Sequence, residues 1–162
     1  MAPGNRPAHG PDGPDAAADR TSQRPGPASR DHALRAMSPT ECFDLLEPGG
    51  IGRVGFAAAE GVMVLPVNFA VTGKAIIFRT APDTLLALHS NAHLSFEVDH
   101  FDEVLREGWS VLVQGHAHQV TDECEVKHLE VAAGLQPWAP GARDVYVRIA
   151  PTQISGRRIQ PA

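Results

Sequence analysis

The histidines at 116 and 118 are the first residues whose types and spacing could do chemistry. Two positions apart in an extended strand means one face and a separation of about 7 Å. His116 and His118 could therefore supply two ligands of a metal site, with Glu97 or Asp99 from a neighbouring strand as a third. The polar outer face of an antiparallel strand explains the same pair more simply, and no metal is assigned. His89, His93 and His100 fall near turns, where histidines are solvated. Cys124 stands at the start of a predicted helix, where a thiol pKa can fall, but no base accompanies it in sequence and no catalytic role is assigned to it. Arg79 is more informative. It sits in an apolar run, Ile76-Ile77-Phe78-Arg79-Thr80, and an arginine in a buried strand needs an anionic partner. Thr80 and Thr84 flank it with hydroxyls, and a helix beginning at Pro82 would turn its first N–H groups toward the same place. Two readings stay open: Arg79, Thr80 and Thr84 cradle a phosphate, or Arg79 pairs across the sheet with Glu97 or Asp99.

The elements that must position these residues are legible as alternation and punctuation. Ser38-Pro39-Thr40-Glu41 combines a capping hydroxyl, a proline at the first helical position and a glutamate three residues after the cap, which predicts a helix ending at Pro48-Gly49-Gly50. Strands are predicted over 51–58, 62–71 and 74–80, the last two joined by a tight turn at Thr72-Gly73. Pro66 lacks an N–H for a ladder and so marks an edge, a bulge or an opening. A short helix fits Pro82–His89. The run 94–100 alternates, and 109–121 is the longest alternating stretch: Trp109, Val111, Val113, Gly115 and Ala117 share one face; Ser110, Leu112, Gln114, His116 and His118 share the other. A capped helix from about Asp122 to Gly134, a loop over 136–143 and a closing strand from Val145 to Ile149, extending toward Ile154, complete the order α-β-β-β-α-β-β-α-β. Strands on short connections, with helices inserted between them, predict a mainly β fold, a small antiparallel barrel with peripheral helices.

Composition bounds the function. The 162 residues amount to one domain. Residues 1–33 contain no Val, Ile, Leu, Phe, Trp or Tyr and read as a disordered tail, because they cannot bury enough apolar surface to offset the entropy of ordering. Residues 34–162 are read as one folded domain. The formal charge of −5 argues against a nucleic-acid partner held by phosphate contacts. No apolar run is long enough for a membrane helix, and the first residues do not read as a secretory signal. Two cysteines, Cys42 and Cys124, make no framework and point to a reducing, cytoplasmic setting. The glycine patterns GxxxxGK[ST] and GxSxG are absent, so P-loop and serine-hydrolase readings fall.

The capped helix before GGIGRVGF, then VMVLPVNFAVTGKAIIFRTAPDTLL and LSFEVDHFDEVLREGWSVLVQGHAHQV, together resemble the pyridoxamine 5′-phosphate oxidase-like, FMN-binding split-barrel proteins, in particular their short actinobacterial branch. The resemblance covers about residues 34–158. It implies a six-stranded antiparallel split β-barrel and a homodimer with two flavin sites at the subunit interface, and the mostly apolar strand from Trp109 to Ala117 would need cover on both faces. It also implies that Pro66, Val67 and Asn68 run along the edge of the flavin ring system. Phe78, Arg79, Thr80 and Thr84 would hold ribityl and phosphate, and Trp109, Ser110 and Gln114 would approach from the other subunit.

Two departures qualify the match. Relatives carry a basic residue just after the turn hydroxyl, where this chain has Leu85-Leu86. The chain also ends SGRRIQPA, without the tryptophan of the substrate-gripping segment in true pyridoxamine phosphate oxidases, so vitamin B6 oxidation is not expected. The implied function is an FMN-dependent oxidoreductase acting on a small-molecule substrate, with no residue named as catalytic. The alternatives are a reductase using the deazaflavin F420, whose acidic tail fits poorly with a domain in which acidic residues outnumber basic ones, and a non-enzymatic flavin- or haem-binding protein with His116 or His118 as axial ligand.

Overall fold

The structure, a computed structural model, describes residues 32–161. The tail reading therefore lies almost wholly outside the described residues. The chain enters through β1 (His32–Met37), a strand that the alternation did not predict, and passes into α1 (Pro39–Leu46). The predicted cap is present. The Glu41 N–H donates to Ser38 Oγ at 3.3 Å, and the Ser38 N–H donates back to Glu41 Oε2 at 2.8 Å. There follow β2 (Gly50–Ala58), β3 (Gly61–Thr72), β4 (Ala75–Thr80), α2 (Leu85–Leu88), β5 (His93–Asp102), β6 (Glu107–Val120), α3 (Glu123–Ala132) and β7 (Val145–Pro161).

All pairings are antiparallel, and six strands close into a ring in the order β2-β3-β4-β7-β6-β5. The expected barrel is therefore present, with β1 as a seventh strand outside the ring along the end of β7. The closing strand is much longer than the predicted stop at Ile149 or Ile154. Its first part pairs with β4, its last part with β1, and β6 follows it along the other edge. Closure between β2 and β5 is brief, from Arg53↔Glu97 to Gly55↔Ser95.

The ring is filled by one apolar cluster that includes Val54, Phe69, Ile76, Phe78, Phe96, Val111, Val113, Val147 and Ile149. Burying each of the larger of these side chains contributes roughly 1.5–3 kcal/mol. Gly52 is required under Phe96, since a Cβ there would lie 2.3 Å from the ring. A second cluster, Ala75, Ile77, Val120, Leu129 and Tyr146, seals α3 onto the outside of the sheet. This explains why β4 reads as a continuous apolar run: Ile76 and Phe78 fill the ring, while Ala75 and Ile77 lie under α3. Arg79 follows Ile77 on the outer face. No helix among the described residues is long and apolar enough to cross a membrane.

Candidate functional site

Pro66 lies at an opening. β3 and β4 pair from Thr72↔Ala75 to Phe69↔Phe78 and then part. From Leu65 to Asn68, β3 keeps β2 on one edge and has no β4 partner on the other. A residue without an N–H is well placed where the ladder has ended. The gap is a cleft of about 200 Å³. Leu65, Pro66, Val67 and Asn68 form one wall, Arg79, Thr80, Thr84 and Leu86 the other, and Pro137, Ala139 and Arg143 the roof.

Pro66, Val67, Asn68, Arg79, Thr80 and Thr84, all singled out from the sequence, thus meet in one place. Phe78 does not join them; it is fully buried in the ring and points away from the cleft. Trp109, Ser110 and Gln114 also lie apart from it. Trp109 packs against the ring's core and beside the His100 ring. Ser110 and Gln114 point outward, opposite Asp99 and Ser95 of β5.

The threonine pair is tightly ordered. Thr84 Oγ1 donates to the Ala81 carbonyl at 2.9 Å and accepts the Ala87 N–H at 3.1 Å. Its one proton is thereby used, so the Thr80 hydroxyl is the donor in the 2.8 Å contact between them. This corrects the expected helix: α2 is a single turn begun by Thr84 rather than by Pro82, and its cap is already taken by the Thr84 hydroxyl.

Arg79 also has partners other than those expected. Glu97 and Asp99 both bind Arg53, each at 3.0 Å, so neither reaches Arg79. Arg79 instead crosses the cleft to the loop between α3 and β7. Its Nε–H donates to the Arg143 carbonyl at 2.7 Å, and Nη1 donates to the Leu135 carbonyl at 3.4 Å. Nη2 lies 3.7 Å from Asp144, whose side chain is 77% exposed, a contact of little energetic weight. The guanidinium stacks over the Tyr146 ring at 4.9 Å, and burial pushes the Tyr146 phenol above its ordinary pKa. Asn68 holds the same loop from the opposite wall, where its Oδ1 accepts the Trp138 N–H at 3.0 Å.

Arg143 escaped the sequence reading. Thr80 pairs with Val145, which brings the residues just before β7 over the end of β4. The cleft therefore has two guanidinium groups in its lining and no carboxylate, in a chain of formal charge −5. A lining with arginines and without carboxylates can accept a small anion.

The metal reading gains no third ligand. His116 lies opposite His93, their rings edge-on with centroids 5.1 Å apart, while Glu97 and Asp99 are committed to Arg53. Among the described residues no group of three or more His, Cys, Asp or Glu side chains gathers to hold a metal.

Comparison with known proteins places these features in context. The family model for pyridoxamine 5′-phosphate oxidase matches residues 38–158. An uncharacterised Mycobacterium tuberculosis protein is 33% identical over 144 residues, covering 85% of this chain and 93% of its own length. Among solved structures, an FAD-binding protein from Mycobacterium smegmatis is 34% identical, with a TM-score of 0.62 over 79% of this chain and 100% of that one. A Corynebacterium glutamicum protein described under the same family name is 30% identical, with a TM-score of 0.70 over 83% of this chain and 98% of its own.

Proposed function

The chain belongs to the pyridoxamine 5′-phosphate oxidase family, and from that premise we propose that it is a homodimeric flavin-dependent oxidoreductase whose cofactor's phosphate end enters the cleft between β3 and β4. The observation that carries this reading is the convergence of Pro66, Val67, Asn68, Arg79, Thr80 and Thr84 on a carboxylate-free cleft with two arginines. The residues fit the group. Guanidinium groups supply the charge-assisted donors a phosphate needs, and the backbone of β3, released from β4, is open to a planar ring.

The cleft's size supports a second subunit. About 200 Å³ is smaller than the ~300–1,000 Å³ of pockets that enclose a whole drug-sized ligand. It suits the polar tail of a flavin nucleotide and leaves the ring system to be covered from outside. Ile51 and Val64 are exposed on the outer face of β2 and β3, and Leu112 on that of β6 beyond the Arg53–Glu97 pair, a mixed face that a second copy would cover. Trp109, Ser110 and Gln114 then face the cofactor held by the other subunit.

FMN is the proposed cofactor. The M. smegmatis relative is described as FAD-binding, and FAD contains the FMN unit, so the same cleft serves the inner phosphate of either. A bound flavin supplies hydride chemistry, while the chain binds it, orients it and shields it from water.

The test is an absorption spectrum of the purified full chain, before and after incubation with FMN, FAD, F420 or haem, together with light scattering. Flavin absorption that stays with a dimer through gel filtration is the expected result. A haem Soret band, retention of F420 in preference to FMN, or a monomer that retains no flavin would contradict the proposal.

A further inference from the structure

We infer that the two arginines of the cleft have divided the work: Arg143 is the residue that meets the flavin phosphate, and Arg79 is a positioning residue that holds Arg143 in place. This rests on the flavin reading above and assigns roles within that site. Arg79 is the residue that sequence position favours for the phosphate. Its polar atoms, however, are turned to the loop. Nε and Nη1 are used on the carbonyls of Arg143 and Leu135, and Nη2 faces Asp144. The shortest of these contacts, 2.7 Å, ends on the main chain of Arg143 itself. Arg79 therefore fixes the backbone from which the Arg143 side chain springs.

Arg143 is in the opposite condition. Its guanidinium has one long contact, from Nε to the Ala139 carbonyl at 3.5 Å, and no ion pair with any described residue. It lines the cleft and remains partly exposed. A cation with unspent donors on the roof of a cleft that lacks carboxylates is the group an entering phosphate would meet.

The division also accounts for the absent base after the turn. Leu85 is outside the cleft lining, and Leu86, which lines it, is 4% exposed and packed into the ring's core. A lysine at either position would be badly placed: the first outside the cleft, the second in an apolar core. The loop before β7 delivers the charge from the other side. Three anchors hold this loop: Arg79 at its start, through Leu135, and at its end, through Arg143, and Asn68 in its middle, through Trp138.

The test is a double-mutant cycle on the full chain, reading the Kd for FMN and for riboflavin, which lacks the phosphate, with hydrogen exchange across residues 135–144 alongside. Arg143→Gln should weaken FMN binding about 10- to 150-fold, equivalent to about 1.4–3 kcal/mol at 1.4 kcal/mol per decade, and leave riboflavin within about twofold. Arg143→Lys should recover part of the loss. Arg79→Gln should weaken FMN binding in the wild-type background but add less than about threefold to Arg143→Gln, and it should speed exchange across 135–144, which Arg143→Gln should not. The assignment is overturned if Arg143→Gln costs less than threefold while Arg79→Gln keeps its full effect beside it. Unchanged exchange in Arg79→Gln overturns it also, whatever the flavins do. A wild-type chain that binds neither flavin removes the flavin reading, and the exchange data still decide whether Arg79 holds the loop.

Discussion

The ring has two unlike seams. β6 and β7 stay paired from Gly108↔Ile159 to Val120↔Tyr146, interrupted only by a bulge at Gln114/Gly115. β3 and β4 pair from Thr72↔Ala75 to Phe69↔Phe78 and then separate. At the first seam, backbone meets backbone so closely that a Cβ on Gly115 would lie 2.1 Å from the Ala150 carbonyl oxygen. At the second, the gap is bridged by side chains reaching to a loop, Arg79 and Asn68. Main-chain ladders leave no donors to spare, whereas side-chain bridges leave a cleft and a cation with capacity to bind. The outer face repeats the contrast. Arg53, near the β2–β5 closure, is matched by two carboxylates at 3.0 Å each, while Arg143 has none among the described residues.

Substitution on the closed seam should have the largest effect on the fold. Gly115→Val forces a branched side chain against the Ala150 backbone, and overpacking of this kind costs about 3 kcal/mol. Chemical denaturation should show the loss as a lower midpoint, and a stability within 0.5 kcal/mol of wild type would mean that the seam opens easily. On the open seam the pattern reverses. Arg143→Gln should leave the denaturation midpoint almost unmoved, within about 0.5 kcal/mol as for other surface changes, although FMN affinity falls. A large loss of stability there would show that the loop is part of the structural frame.

Arg53→Ala should cost about 0.2–1 kcal/mol at neutral pH, the range for exposed ion pairs. Glu97 already has a raised pKa, first from burial and then from Asp99, opposed by Arg53. The difference between variant and wild type should therefore shrink as pH falls and Glu97 protonates. A difference that persists in acid would point to packing of the arginine stem instead.

The smallest effect should come from the cap of α1. Hydrogen bonds from Arg35 and then Ser38 hold the Glu41 carboxyl down from 4.5 to about 2. A carboxylate with a lowered folded-state pKa contributes stability that is present above its unfolded value and lost as pH falls through the folded one. The melting temperature should thus decline between about pH 4.5 and pH 2, and Glu41→Gln should flatten part of that decline without touching the cleft. An identical pH profile in the variant would remove Glu41 from this account.

The ring was legible because its strands announce themselves. Val111, Val113 and Ala117 alternate with exposed partners, and Thr72-Gly73 and Pro48-Gly49-Gly50 punctuate correctly. β1 was hidden because His32–Met37 has little β-branched or alternating character and is a strand only through its pairing with β7. The full length of β7 was hidden by Pro151 and Gly156, which look like stops but sit where β7 exchanges β4 for β1. Half of the cleft was readable in Pro66, Arg79 and the threonines. Arg143 was not, because its loop has no periodicity and its closeness to Arg79 follows from the non-local pairing of Thr80 with Val145. The expected Glu97 or Asp99 partner failed for a related reason, since register gives both carboxylates to Arg53.

The most direct measurement is the ratio of riboflavin to FMN dissociation constants for the unmodified full-length chain at low ionic strength. If the cleft between β3 and β4 grips the phosphate end of a flavin nucleotide, FMN should bind at least about tenfold more tightly, the yield of one good charge-assisted hydrogen bond, and the preference should diminish as salt is added. Equal affinities at every salt concentration, or no binding of FMN, would show that this cleft does not hold the phosphate.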